Sequence, residues 1–409
     1  MATPPTSPPL TTALPYCPNC RHPLLGIDLG WICWQRRSEQ RTPSDTSGLA
    51  HLQAGKVFQD QTTVQPQLYV QVEDIICDTF NPPAAPACRH SECGRERGPA
   101  NTFRPACPRC QMEIPRVENV RDSTITITGP AGAGKSHFIV ALSDWWEMNL
   151  GFFNLTVEPA MGSRLRAEFD RQYEQVVNSG QKLPTSIPGH MVSFSWIIRP
   201  GANIGSFPGM LCTLPDVSGE RLYDEKALES NRHYHYSKGI ILILDGDRIA
   251  VAQQLVRAEA LPQERRRSPR DQTLLIDAMI ANLRTLKPND YVDIPIAVCV
   301  NKVDALSEMD QSGHWKNVML LNTPTHVEQG GFHLSACQAR SGSIETLLLS
   351  HRQTAPIVHK LRSNFAQIMF FGIATIGSDA DHGGKIRYDP VSVEDPFLWL
   401  VQQLRPFAV

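Results

Sequence analysis

Residues 129–136 read GPAGAGKS and fit the pattern GxxxxGK[ST]. Glycines at such positions let backbone N–H groups close on phosphate oxygens with no Cβ in the way. In this reading Lys135 reaches the β- and γ-phosphates and the Ser136 hydroxyl ligates Mg²⁺. Gly129, Ala131, Gly132, Ala133, Gly134 and His137 complete the expected phosphate-contacting set. On average residue frequencies, a chance match in a chain of this length is on the order of one in a hundred.

A phosphate loop does not choose a base, and Asn301-Lys302-Val303-Asp304 supplies that information. A carboxylate at Asp304 can accept both the N1–H and the exocyclic amine of guanine, a pairing that adenine cannot offer. A buried site left unpaired by the wrong base can reject it by roughly 10⁴-fold. Lys302 is expected to lie along the base and the phosphate loop, and Asn301 to tie the loops together. Such a four-residue pattern alone arises by chance about once in twenty chains. Order strengthens it. Asp216-Val-Ser-Gly219-Glu220 fits DxxG, where Asp216 would hold Mg²⁺ through water and the Gly219 N–H would sense the γ-phosphate. Downstream, His333-Leu-Ser335-Ala336 is similar to an SA segment whose backbone contacts guanine O6.

The cysteines point to a second chemistry. Eight of the eleven fall before residue 111. Cys17-Pro-Asn-Cys20 and Cys107-Pro-Arg-Cys110 are CPxC knuckles, each aiming two thiolates at one metal. Cys88 and Cys93 form a CxxxxC pair, and Cys33 follows the first knuckle. Tetrahedral structural zinc takes four protein ligands. Seven candidates make one full site and a partial one, or two sites with His22 or His90 as the eighth ligand. The partition stays open between Cys88/Cys93/Cys107/Cys110 and Cys17/Cys20/Cys107/Cys110. Such a site contributes on the order of 10 kcal/mol to folding. Cys77 reads as core.

These groups need elements to position them. Residues 124–128 (TITIT) read as a strand running into the glycine loop, and HFIVALSDWWEMN after it has helical spacing. Trp145 and Trp146 are expected to pack that helix against a sheet. Strands are expected near 152–157, 191–198, 210–214, 239–244 and 294–300, with helices over 163–177, 271–286 and the C-terminal EDPFLWLVQQL. The runs at 239–244 and 294–300 are continuously apolar, as in strands buried on both faces of a parallel sheet. The alternation implies an α/β fold with a doubly wound, mostly parallel sheet over 119–409. Residues 1–15 read as a Pro-rich lead-in and 16–118 as a small zinc-ribbon-like module.

Composition bounds the partners. Hydrophobic residues make up 41% of the 409, enough for a normal core, and the formal net charge of −2 argues against a generic polyanion binder. The opening MATPPTSPPL has neither a charged n-region nor an apolar h-region. The best apolar run, 368–376, is too short for the ~18 residues of a membrane span. A cytoplasmic protein is expected, in which clustered cysteines hold metal rather than disulfides. The basic run 264–270 (ERRRSPR) reads as a solvated loop.

With these motifs in order, residues 119–409 resemble a Ras-like GTPase of the translation-factor-related class. CPxC pairs ahead of a GPAGAGKS loop resemble the bacterial double-GTPase family, second type. The resemblance implies a zinc ribbon coupled to one GTPase, with a second GTPase or effector as protein partner in multi-component conflict or signalling systems. It implies GTP and Mg²⁺ as ligands and a molecular switch as the function. Two positions depart from the pattern. Glu220 stands where a water-orienting Gln is common, so its charge would oppose the γ-phosphate unless it pairs with Arg221. The switch threonine is expected at Thr185, in the place where a first switch loop should end, with Thr156 competing. Arg164, Arg166 and Arg232 could each supply a charge in cis, and nothing in the sequence selects one of them. Glu220 keeps alive a non-hydrolysing, GTP-dependent scaffold as the alternative, and an RNA-associated role ranks below both.

Overall fold

The computed structural model describes residues 17, 30–33, 69–70, 75–76, 87–88, 103–106, 120–161, 163–183, 192–201, 209–216, 233–257, 270–286, 292–320, 326–328, 331–377, 386 and 388–404. The chain divides into two units, Met1–Asn119 with Ala160–Ser163, and Val120–Pro159 with Arg164–Val409. In the first, β1 (Gly30–Cys33) pairs antiparallel with both β2 (Tyr69–Val70) and β5 (Phe103–Ala106). A separate antiparallel pair joins β3 (Ile75–Ile76) to β4 (Ala87–Cys88).

The second unit is built on a mixed seven-stranded sheet. Its strands are β6 (Val120–Thr128), β7 (Leu155–Pro159), β8 (Val192–Pro200), β9 (Gly209–Asp216), β10 (Ser237–Asp245), β11 (Ile296–Asn301) and β12 (Ile368–Gly372), in the order β12-β11-β10-β6-β9-β8-β7. From β12 to β9 every neighbouring pair is parallel; β8 is antiparallel to both its neighbours. The central strands are buried throughout β11 and from Gly239 on in β10, which is why their sequences are apolar without alternation. The apolar run at 368–376 proves to be an edge strand of this sheet and its exit loop.

Side chains of these strands alternate between two helical layers. Ile240, Leu242, Leu244, Ile296, Val298 and Val300 face α5 (Arg270–Leu286), α8 (Leu334–Leu349) and α9 (Ala355–Arg362), through Leu275, Met279, Ile344, Leu348 and Ile357. Elsewhere the core is aromatic. Trp146 of α1 (Lys135–Asn149) packs edge-on against Trp196 of β8 at 5.3 Å and against Phe397 of α10 (Asp395–Leu404) at 4.7 Å. Phe169 of α2 (Ser163–Tyr173) meets Trp196 at 5.2 Å. Such pairs contribute about 0.5–1.5 kcal/mol beyond the area they bury. Trp145 remains half-buried against Phe153.

The strand expected near 152–157 and the helix expected over 163–177 follow α1 with bounds shifted by a few residues. This stretch opens with a 3₁₀ turn, continues through β7 and α2, and ends in a π-helical turn over Glu174–Asn178. The short helices α3 (His233–Tyr236), α4 (Gly246–Ala252), α6 (Val303–Met309) and α7 (His314–Leu320) sit between the larger elements. Five parallel strands therefore release their loops along one edge of the sheet, where α/β folds bind ligands.

Candidate functional site

The loop leaving β6 has the backbone its glycines dictate. Gly129 and Gly134 have φ of +155° and +91°. A Cβ on Gly129 would lie 2.2 Å from the Ile243 carbonyl oxygen, and one on Gly134 would lie 2.4 Å from Asn301 Nδ2. Neither position accepts a side chain. Gly134 caps α1 from the left-handed region. Lys135 is buried at 6% exposure and its ammonium donates to the carbonyls of Gly129 and Pro130 at 3.0 and 3.1 Å. A cation is thus held inside a ring of backbone at a helix N-terminus, the arrangement that favours an anion. Ser136 and His137 follow on the first turn of α1, with Ala131 half-buried, Gly132 exposed and Ala133 buried.

Asn301 ends β11 and joins three loops. Its amide donates to the Ala133 carbonyl at 2.7 Å and to Thr375 Oγ1 at 3.2 Å, while its own oxygen accepts from the Thr375 and Lys302 backbone N–H groups. Lys302 then turns through the left-handed region, and Asp304 falls half-buried on the first turn of α6. The Lys302 ammonium is committed to Asp245 and Asp247 at 2.6 and 2.7 Å; it is Arg248 that donates to the phosphate loop, at the Ala131 carbonyl, 3.3 Å.

Thr375 was not anticipated. It lies in the loop after β12, the strand beside β11, so sheet order carries it to the NKVD loop. Ser335 and Ala336 do not join this set. They occupy the first turn of α8, ahead of β12 in the chain, with Ser335 exposed. A sequence signal for Thr375 existed in the small-residue exit (IATIG) of the apolar run at 368–376.

At the phosphate end, Asp216 is the last residue of β9 and pairs with Ile127 on one side and Val192 on the other. The Asp216 backbone therefore stands one residue from Thr128, where the phosphate loop begins. Thr185, Gly219 and Glu220 lie outside the described residues, as do Arg221 and the side chains of Arg164 and Arg232. Thr156, the competitor of Thr185, is placed on edge strand β7 opposite Arg199. Arg199 is seven residues along β8 from Val192, about 23 Å at the usual strand rise, so Thr156 is remote from Asp216. Arg166 pairs with Asp170 on the exposed face of α2. Tyr234, in the segment following DxxG, is buried and donates from its hydroxyl to Thr128 Oγ1 at 2.8 Å.

No protein-family model matches the sequence, and no curated protein matches it. Among solved structures the chain is similar to the Arl6 BBS3 small GTPase from Trypanosoma brucei, solved with the bound nucleotide analogue GppNp. Identity is 12%, the match covers 69% of this chain and 97% of that one, and the TM-score is 0.30. At those values the likeness bears on neither ligand nor activity.

Two histidines complete the inventory. His137 accepts the Leu183 backbone N–H at Nε2, 3.0 Å, tethering α1 to the residue two before Thr185. Burial, with Lys182 and Lys302 nearby, pushes its imidazole down to about 4, so it is neutral at pH 7. His326 belongs to a buried cluster with Cys337 and Asp395 whose donor atoms lie within 4.8 Å of one another. Arg340 already supplies the cation there, donating to Asp395 at 2.5 Å and to the Cys337 sulfur at 3.3 Å. Burial beside Asp395 pushes the Cys337 thiol up to about 12. A guanidinium stands where a metal would bind, so the cluster reads as structural.

Of the zinc candidates, Cys17 is buried, Cys33 ends β1 opposite Phe103, and Cys88 ends β4 opposite Ile75. Cys20, Cys93, Cys107 and Cys110 lie outside the described residues. No described helix is long and apolar enough to cross a membrane.

Proposed function

We propose that this chain is a Ras-like P-loop GTPase that binds guanine nucleotide with Mg²⁺ and acts as a hydrolysing switch. One observation carries the reading: the Asn301 amide joins the NKVD loop to the phosphate loop at Ala133, so the base-reading and phosphate-holding motifs form one edge. The strand order supports it, since every motif-bearing strand ends at that edge. Asp304 would grip the guanine Watson–Crick face, Lys135 the β- and γ-phosphates, and Ser136 with Asp216 the Mg²⁺. The donors fit the metal, being a hydroxyl and a carboxylate at the ends of adjacent elements, the oxygen chemistry that Mg²⁺ takes. The backbone after β12, at Ala374 and Thr375, replaces Ser335 and Ala336 as the segment for guanine O6. Thr185, Gly219 and Glu220 are assigned by sequence to the γ-phosphate.

In the same reading the cysteine module holds structural zinc and presents a surface to a protein partner, a second GTPase or an effector. Ala106, the last residue of β5, pairs with Gly30 and directly precedes Cys107.

Calorimetry of the purified chain against GTP, GDP and ATP, with zinc measured on the same sample, tests both halves. Binding of the two guanine nucleotides and not ATP is expected. Asp304→Asn should move preference towards xanthine, whose 2-oxo group accepts from the new amide; unchanged GTP affinity in that variant would remove Asp304 from the base site. Single-turnover hydrolysis separates the switch from the non-hydrolysing scaffold.

A further inference from the structure

The segment Asp245-Gly-Asp-Arg248, at the end of β10, matches none of the motifs, yet it spans the gap between two of them. Asp245 caps α4, accepting the Asp247 backbone N–H at 3.3 Å. Its carboxylate takes Lys302 Nζ at 2.6 Å on one oxygen and lies 3.4 Å from Arg248 Nε on the other. Asp247 holds the same ammonium at 2.7 Å, and Arg248 donates onward to Ala131 of the phosphate loop. The side chains of Asp245, Asp247 and Arg248 are 5%, 1% and 2% exposed. Two carboxylates therefore balance two cations; the Lys302 side chain keeps 26% exposure and the other three groups are held away from water, where unbalanced charge is costly. The turn is fitted to this approach, because a Cβ on Gly246 would lie 2.3 Å from the Asn301 carbonyl oxygen.

A purely architectural ion-pair set would end on framework residues. This one ends on Lys302 of the NKVD motif and on Ala131 of the phosphate loop. We infer that Asp245–Arg248 is a positioning element of the nucleotide site, with Asp245 and Asp247 fixing the Lys302 ammonium beside the purine and Arg248 fixing the phosphate loop. The inference rests on the guanine-nucleotide reading above and adds to it the residues that set how well the base side is pre-formed. Burial alone would lower the Lys302 ammonium, but the two carboxylates outweigh it and hold the group above its ordinary range.

The test is a double-mutant cycle read by GTP and GDP titration, with thermal melting recorded for each protein. Asp247→Asn should weaken both nucleotides by about ten- to hundredfold, the scale of a hydrogen bond to a charged group. In a Lys302→Gln background the same change should add little, because the side chain it acts through is gone. Arg248→Gln should weaken binding to the same extent in either background, since it acts through Ala131. Should Asp247→Asn fail to fold, Asp247→Glu keeps the charge, displaces it by one methylene and enters the same cycle. Wild-type affinity in the Asp247 variant, or losses that simply add with Lys302→Gln, would overturn the positioning role. A wild-type chain that binds no guanine nucleotide would instead overturn the reading beneath it.

Discussion

Two buried charge networks in the sheet unit look alike by burial and part company by what they touch. One joins Lys302, Asp245, Asp247 and Arg248; the other joins His326, Cys337, Arg340 and Asp395. Both place carboxylates against cations at 2.5–2.7 Å, and the second even groups three metal-ligating residue types. Among the described residues, the first reaches the glycine-rich loop, through Arg248 to the Ala131 carbonyl. In the second, Arg340 donates to Asp395 and to the Cys337 sulfur, His326 Nε2–H donates to Asp395, and Nδ1 accepts the His333 N–H. Perturbed, buried titratable groups mark functional sites only on average. Here the discriminating fact is whether a network is anchored to a loop that can hold a ligand.

Lys135→Ala should break the phosphate end outright, and this is the largest effect expected. Nucleotide affinity should fall by more than about a hundredfold, because a charge-assisted contact to a polyphosphate is lost from a buried position. Retained affinity in titrations with GTP would mean that the ring around Lys135 is only a turn.

Arg340→Met sharpens the contrast from the other side. It leaves Asp395 buried with His326 alone and should cost about 3–5 kcal/mol of stability in urea unfolding. GTP affinity of the folded protein should stay at the wild-type value. A matching loss of affinity would mean that the second network also serves the site, and the distinction drawn above would fail.

The two networks also differ in how far the sequence announced them. The glycine loop and the NKVD turn were legible because their geometry is local: a few adjacent residues carry the backbone turns that the structure shows. Strands β10 and β11 were legible because burial on both faces forces continuous apolar runs. Thr375, Asp245 and Arg248 were not. Each acquires its role from a partner 57 to 117 residues away, through sheet order rather than through spacing. Ser335 and Ala336 have residue types that suit a base-contacting loop, and the structure puts them on the first turn of α8, ahead of β12. Edge strand β7 lies two to three residues past the strand expected near 152–157, and the end of the helix expected over 163–177 winds as a π-helical turn, because short exposed elements carry little periodicity to fix their bounds.

His137 gives the mildest test, and one that separates the nucleotide edge from the rest of the fold by pH alone. His326 sits against a carboxylate, whereas His137 has Lys182 and Lys302 for charged neighbours and is held down to about 4. In the unfolded chain the same imidazole takes up its proton near pH 6.5. The unfolded state therefore binds more protons between those values, so the histidine's contribution is complete above pH 6.5 and is lost as the pH falls towards 4. By linkage the loss reaches about 2 kcal/mol at pH 5. His137→Gln keeps an acceptor for the Leu183 N–H and removes the titration. Urea unfolding at pH 7 and pH 5 should show the wild type losing about 2 kcal/mol more than the variant. Equal losses would mean that water or an anion meets the imidazole on protonation, and that the edge around Lys302 is more open than the packing of His137 implies.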